Sequence, residues 1–136
     1  MSFIKRINIY GRSGENKMKN WKPIFIENSK VPVWLSRLAP INIGAITLFF
    51  LVFSRDEMSV TTKRHETIHF QQMLETLVLG FLTLYLWDYL KGYFKYRNGK
   101  AAYFCIRAEQ EAYHKETSMS YPTERQRWRW IFGYKV

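Results

Sequence analysis

Two apolar runs stand out in the pattern of hydrophobic and polar positions along the chain. Neither the run from Leu38 to Ser54 nor the run from Thr76 to Trp87 contains a charged residue. A bilayer-spanning helix needs about 20 apolar residues, so the second run is too short and the first is borderline. The core of the first run, "AITLFFLVF", is rich in β-branched and aromatic residues and precedes a turn-like "SRDEM". This pattern favours one buried strand over residues 43–53, with a short return around 58–60, rather than a spanning helix.

The rest of the pattern predicts mainly helix. N-cap residues at Ser59, Thr61 and Thr62 precede an apolar helical pattern that continues through the eighties. A helix over 101–116 follows the break "RNGK", and a last segment covers 122–133. The prediction is therefore an α+β, mainly helical chain. It has a basic, loosely ordered arm over 1–30, with a short extended piece "KPIFIE", and a single domain over 31–136.

Composition narrows the class of protein. The chain has 136 residues, of which 47% are hydrophobic and 18% aromatic, so it is long enough for a modest core and is not disordered. A lone cysteine, Cys105, excludes an intramolecular disulfide. The start of the chain lacks the apolar core of a secretory signal. These features favour the cytoplasm, with peripheral attachment to a membrane as the alternative.

The charge balance implies an anionic neighbour. Lysine and arginine number 21 against 11 acidic residues, giving a formal net charge of +10. The basic aromatic segment 121–136 contains "ERQRWRWIFGYKV", in which arginine and tryptophan alternate. This segment fits an amphipathic cover whose tryptophans face the core and whose arginines face water. It also fits an anionic membrane surface, or, less well, single-stranded nucleic acid. Oligomeric state is not predicted by the pattern.

The stretch "TKRHETIHFQQMLE" contains the motif H-E-x-x-H. Residues i and i+4 of a helix lie about 40° apart, so His65 and His69 can both reach one metal ion. Glu66 can then reach a water bound to that ion and act as its general base. Without a third ligand, the same residues describe only a solvated helix face.

The third ligand is expected from the later helix, "IRAEQEAYHKE". Glu109 is the first choice and Glu111 the alternative, since Glu111 points roughly 160° away from Glu109 and is predicted to be more solvated. A straight helix over 61–96 would carry the chain roughly 42 Å from His69 before it could return. A carboxylate from Glu109 therefore requires a bend, for which Gly80 and Gly92 are the expected places.

Taken together, "GAITLFFLVF", "RHETIHFQQMLE" and "RAEQEAY" resemble the small gluzincin-type metallopeptidase-like proteins of bacteria and phages. The resemblance covers residues 42–116. It implies a minimal zincin-like core, with a short β-hairpin or small sheet beside the H-E-x-x-H helix and one zinc ion held by two histidines and a glutamate. It also implies that a peptide or protein substrate pairs with the neighbouring strand, for which Gly44, Ala45 and Ile46 are the predicted contacts.

Larger integral-membrane gluzincins have the pattern E-x-x-A-D around the third ligand. Glu109 and Ala112 match it, but Tyr113 occupies the position of the aspartate that orients a ligand histidine in those relatives. Tyr113 could substitute through its hydroxyl or donate to an oxyanion. Its alternative is plain packing.

Three classes of function fit the sequence. The first, which we favour, is a zinc-dependent hydrolase of the metallopeptidase type. The second is an inactive zincin-like binding module that retains the metal. The third is a basic protein associated with membrane or nucleic acid, in which the motif is incidental.

Overall fold

The computed structural model describes residues 22–38 and 44–136. The fold is α+β and mainly helical, as predicted, with one small sheet. In chain order the elements are β1 (Ile24–Ile26), α1 (Val31–Leu38), β2 (Ala45–Leu48), β3 (Leu51–Ser54), α2 (Val60–Tyr96), α3 (Gly99–Cys105), α4 (Arg107–Lys115), α5 (Tyr121–Glu124) and α6 (Arg129–Phe132).

A tight hairpin replaces the single strand predicted over 43–53. Strands β2 and β3 pair antiparallel and turn at Phe49 and Phe50. Phe49 has a φ of 59°, a left-handed value that hairpin turns usually give to glycine or asparagine. Two phenylalanines carry no turn signal, which is why the prediction was wrong. The predicted return around 58–60 is also wrong, because Val60 begins α2.

Strand β1 completes the sheet, whose order is β1-β3-β2. It pairs parallel with β3, with Ile24 opposite Leu51. The extended piece "KPIFIE" is therefore part of the folded domain, although the sequence assigned it to the arm over 1–30. Residues 1–21 of that arm lie outside the described residues. Strand β2 is left at an edge of the sheet, beside α2.

Helix α2 is sharply kinked, and the kink divides it into a first arm, residues 60–76, and a second arm, residues 78–96. Leu77 lies between them with φ 57° and ψ 166°, far from helical values. The predicted bend is thus confirmed, but it falls at Leu77 rather than at Gly80 or Gly92. Ser59 caps the first arm, since its hydroxyl accepts a hydrogen bond from the amide of Thr62 at 3.1 Å.

The glycine at position 92 serves packing instead of bending. A Cβ at Gly92 would lie 3.0 Å from the Cα of Ala102, so glycine lets α3 lie directly against the second arm. The predicted single helix over 101–116 is divided, because Ile106 takes an extended ψ of 125° between α3 and α4. This break turns α4 back toward the first arm of α2.

The core lies where α2, α4 and α6 meet. Its buried members are Met73, Phe81, Ile106, Ala108 and Trp130. The C-terminal segment forms two short helices, α5 and α6, with Trp130 fully buried. Since Trp130 covers the core, the amphipathic-cover interpretation holds for this residue.

A buried ion network links the C-terminal segment to α2 and α4. The guanidinium of Arg125 is fully buried and bonds Glu75 at 2.5 Å and Glu111 at 2.9 Å. The indole of Trp130 donates to Glu75 at 3.0 Å. The expectation that the arginines of this segment face water is therefore wrong for Arg125. Removing one partner of such a network leaves a buried charge unpaired, which costs about 3–5 kcal/mol.

The strained backbone at Leu77 generates a stability prediction. Its side chain is 75% exposed, so Leu77→Gly loses little burial while relieving a conformation that L residues rarely adopt. We expect the free energy of unfolding to rise by about 1 kcal/mol in urea denaturation. The matched control is Leu79→Gly, equally exposed but within the second arm, which should lose about 1 kcal/mol. Equal losses in both variants would contradict the strain at Leu77.

Candidate metal centre

Two buried histidines of the first arm form one side of the candidate metal centre. His65 and His69 are separated by one helical turn, so their imidazoles project from the same face of α2. Their Nε2 atoms lie 3.0 Å apart, and each residue is only 7% exposed. Both rings therefore present a nitrogen to the same enclosed point.

Glu109 of α4 forms the other side. Its Oε2 lies 3.4 Å from Nε2 of His65, and its Oε1 lies 3.4 Å from Nε2 of His69. All three ligand atoms fall within 4.8 Å of one another, close enough to bind one metal ion. The bend at Leu77 and the break at Ile106 together bring this carboxylate back to the histidines.

Hydrogen bonds at the outer nitrogens fix the orientation of both rings. Nδ1 of His65 lies 2.7 Å from the Glu116 carboxylate, which can only accept, so this nitrogen carries a proton. Nδ1 of His69 lies 2.9 Å from Oε1 of Gln72.

The amide of Gln72 is held in that orientation by its own partners. Its Nε2 donates to the carbonyl of Ala108 at 3.1 Å and to Glu111 at 2.7 Å, and both of those atoms are acceptors. The amide oxygen must therefore face His69 and accept from its Nδ1. In both histidines, the nitrogen left to present a lone pair to the centre is Nε2.

The centre has an excess of electron pairs. Two imidazole lone pairs and a carboxylate meet there, and within residues 22–38 and 44–136 the buried Oε2 of Glu109 has no hydrogen-bond partner. Such a set is stable only around a cation or a proton. The residues present thus fit a metal ion by the chemistry of their donor atoms.

The pKa values follow from the same arrangement. Burial alone lowers the pKa of His69, but the neighbouring Glu109 carboxylate outweighs it and raises that pKa to about 9. Burial raises the pKa of Glu109, yet His69 and His65 hold it well below its ordinary range. Burial and the Glu109 charge also raise the pKa of Tyr85, so its phenol stays protonated and donates to Oε1 of Glu109 at 2.6 Å.

Glu66 lies beside the three ligands without belonging to them. Its Oε2 accepts a hydrogen bond from the hydroxyl of Thr47 at 2.6 Å, and both residues are buried. Thr47 belongs to β2, so this bond ties the edge strand to the helix that carries the histidines. The Glu66 carboxylate is thereby held at β2, and its charge is near enough to His69 to help raise the pKa of that histidine.

Tyr113 lies next to the centre. Its ring meets that of His65 edge-on, with centroids 4.6 Å apart, and its hydroxyl is 3.4 Å from the hydroxyl of Tyr103. With 42% of the side chain exposed, Tyr113 borders both solvent and the ligand set. Gly44, Ala45 and Ile46 lie at the start of the hairpin, on or next to β2, where Gly44 is exposed.

Glu111, the alternative third ligand, lies outside the candidate metal centre. Both of its carboxylate oxygens are bound by Arg125, and Oε1 also accepts from the hydroxyl of Tyr121 at 2.7 Å. The prediction that Glu111 is solvated is wrong, since its side chain is fully buried. Helical phase correctly separated it from Glu109, but the opposite face is covered by the C-terminal segment rather than by water.

Sequence reasoning missed several supporting residues. Glu116 supplies the carboxylate that orients His65, a role for which position 113 was the expected place. Its spacing of i+7 from Glu109, which repeats one helix face, was a usable signal. Thr47 and Tyr85 carried no such signal, because their roles depend on the hairpin and on the bend at Leu77.

Comparisons with known protein families, with curated proteins and with solved structures find no significant match to this chain. The resemblance to gluzincin-type proteins therefore stays a prediction from the motifs. The interpretation of the site depends on the geometry of its own residues.

The pair formed by His69 and Glu109 predicts how the metal-free protein responds to pH. Because the pKa of His69 is raised from 6.5 to about 9, its stabilisation is complete below pH 6.5 and is lost as pH rises through about 9. Because the pKa of Glu109 is lowered from 4.5, its stabilisation is present above pH 4.5 and is lost as pH falls. Urea denaturation in chelator should show both losses.

The control for this prediction is His69→Gln, which cannot titrate. Its free energy of unfolding should change much less between pH 6.5 and 9 than that of the unmodified chain. An identical pH dependence in the two proteins would contradict the ion pair.

Proposed function

We propose that this protein is a zinc-dependent hydrolase, a gluzincin-like metallopeptidase akin to the small proteins of bacteria and phages that its motifs resemble. One observation carries the proposal. Two imidazole lone pairs converge on one buried point with a carboxylate oxygen that receives no hydrogen bond from the part of the chain that the structure describes. A metal ion satisfies all three at once.

The donor set favours zinc. Zinc accepts imidazole nitrogen and carboxylate oxygen, and catalytic sites with two histidines and one glutamate leave its fourth position open. The outer hydrogen bonds of His65 and His69 support this assignment, because ligand histidines are usually oriented by a carboxylate or carbonyl group.

Glu66 would act as the general base. Zinc, when bound, acidifies a water molecule and polarises the carbonyl of the substrate. Glu66, next in sequence to His65, would take a proton from the attacking water and pass it to the leaving amine. The hydroxyl of Thr47 holds the carboxylate in place for both transfers. Tyr113, beside His65 and open to solvent, is suited to donate to the developing oxyanion.

Strand β2 supports a peptide or protein as substrate. Among the described residues, β2 pairs only with β3, so its other edge offers main-chain groups to an extended peptide. Gly44, Ala45 and Ile46 would form that contact. The bond from Thr47 to Glu66 keeps this strand next to the proposed base, so a peptide paired there would lie beside the carboxylate. A cytoplasmic location is part of the same proposal.

The second candidate is a zincin-like binding module that holds metal without catalysis. The buried hydrogen bond between Thr47 and Glu66 also fits this candidate, because it joins the sheet to α2 whether or not Glu66 transfers protons. Metal content does not separate the two candidates, whereas turnover does.

The metal ligands can be tested by elemental analysis of protein purified without chelator. We expect one zinc ion per chain in the unmodified protein and none in His69→Ala or Glu109→Gln. His114→Ala is the matched control: its ring bonds the carbonyl of Gln110, outside the centre, and its zinc should be retained. Zinc lost equally from the His114 variant, or absent from the unmodified protein, would contradict the proposed ligands.

The general base can be tested with Glu66→Gln, assayed against a quenched fluorescent peptide library. This variant should keep its zinc and lose turnover by about 10²–10⁴-fold, since the amide cannot accept the proton of water. Glu57→Gln, an exposed control with the same change of charge, should keep full activity. Zinc-loaded protein without any turnover would favour the binding module instead.

A further inference from the structure

The second arm of α2 has an exposed apolar face that is independent of the metal centre. Its members recur every three or four residues, and each is between 40% and 79% exposed: Leu79, Leu82, Leu86, Leu90 and Phe94. We refer to these five residues as the apolar stripe. The opposite face of the same arm is buried against the core through Phe81, Asp88 and Gly92. The stripe is therefore a surface that nothing within the described residues covers.

The arm is suited to lie in a membrane surface rather than to cross the bilayer. Helix α2 is long and apolar enough to span by length and composition alone. However, Asp88 is fully buried on the opposite face, and the Arg107 side chain holds its two carboxylate oxygens at 2.7 and 2.9 Å. A spanning helix would draw this ion pair and α3 into the hydrocarbon, at high cost. An arm that is apolar on one face and packed on the other matches an interfacial helix.

A basic cleft adjoins the stripe. It has a volume of about 450 Å³ and is lined by Trp87, Lys91, Arg107, Tyr134, Lys135 and Val136. Trp87 also lines a shallow apolar depression of about 300 Å³ formed with Leu86 and Leu90. Within the described part of the chain, neither Lys91 nor Lys135 pairs with a carboxylate, so both ammonium groups are available to an anion.

We propose that the apolar stripe and the basic cleft together dock the protein on an anionic membrane surface. The leucines enter the boundary of the acyl chains, and Trp87 sits at headgroup level between the apolar and basic parts. Lys91 and Lys135 then meet lipid phosphates. The formal net charge of +10 attracts the whole molecule to the same surface.

Charge also argues against other occupants of the stripe. A second copy of this chain would carry a further +10 and would oppose lysines to lysines across a symmetric interface. Single-stranded nucleic acid stacks on aromatic rings, whereas the stripe consists mostly of leucines. Lipid satisfies the apolar and the basic part at once.

The test is co-sedimentation of the full chain with phosphatidylcholine vesicles, with and without phosphatidylglycerol. We expect binding to the anionic vesicles that weakens as salt is added. Replacing both Leu86 and Leu90 by Glu should reduce this binding by at least tenfold, a loss of about 1.4 kcal/mol or more. The matched control is Met119→Glu, an 85% exposed apolar residue between α4 and α5, which should reduce it far less.

A second pair of variants tests the cleft. Lys91→Gln with Lys135→Gln should weaken binding to anionic vesicles and flatten its salt dependence, since two phosphate contacts are lost. The proposal would be overturned if the double Leu86/Leu90 variant and the Met119 variant bound vesicles equally. It would also be overturned if the unmodified chain did not bind vesicles. A third contradicting result would be that the unmodified chain is a dimer and the double leucine variant is a monomer, because a second copy would then cover the stripe.

Zinc content of the same variants separates this inference from the hydrolase proposal. The stripe lies on the second arm, whereas both histidines lie on the first, so the leucine variants should retain the metal. Vesicle binding and metal binding can therefore fail independently.

Discussion

This structure depends on one constraint, which is that three electron-rich ligand atoms lie close together in a buried space. The Nε2 atoms of His65 and His69 and the carboxylate of Glu109 would repel one another without a positive charge between them. In the metal-free chain the Glu109 carboxylate favours a proton on His69 and raises the pKa of His69 to about 9 in spite of its burial. A divalent ion would satisfy the same atoms more fully, and Oε2 of Glu109, which has no hydrogen-bond partner among the described residues, is the clearest sign of it.

The fold is arranged to bring these atoms together. A continuous helix would carry the chain away from the histidines, and the kink at Leu77 reverses this at the expense of an unfavourable backbone conformation. Gly92 then allows α3 to lie directly against the second arm, and the break at Ile106 directs α4 back to the first arm. The buried ion pairs of Arg125 with Glu75 and Glu111 hold the C-terminal segment against the far side of α4. Strain at one position is thus offset by packing and ion pairing at several others.

Much of the candidate site could be predicted from the sequence, because it depends on helical periodicity. The i, i+4 spacing places His65 and His69 together, and helical phase separates Glu109 from Glu111. The length of a straight helix over 61–96 also required a bend if Glu109 was to reach the histidines. The residues that failed prediction depend on tertiary contacts: a Phe-Phe hairpin turn lacks the usual turn residues, and Arg125 is buried only because two distant glutamates meet it. Thr47 reaches Glu66 only once that hairpin has formed.

X-ray absorption spectroscopy of the zinc-loaded protein tests the central claim most directly, because it reports the atoms that surround the metal. The account predicts a first shell of nitrogen and oxygen at about 2.0–2.2 Å, with outer-shell scattering from two imidazole rings. His69→Ala, which is expected to hold no zinc, should show no bound zinc with this shell. A sulfur atom from Cys105 in the first shell, or a spectrum without imidazole scattering, would contradict it.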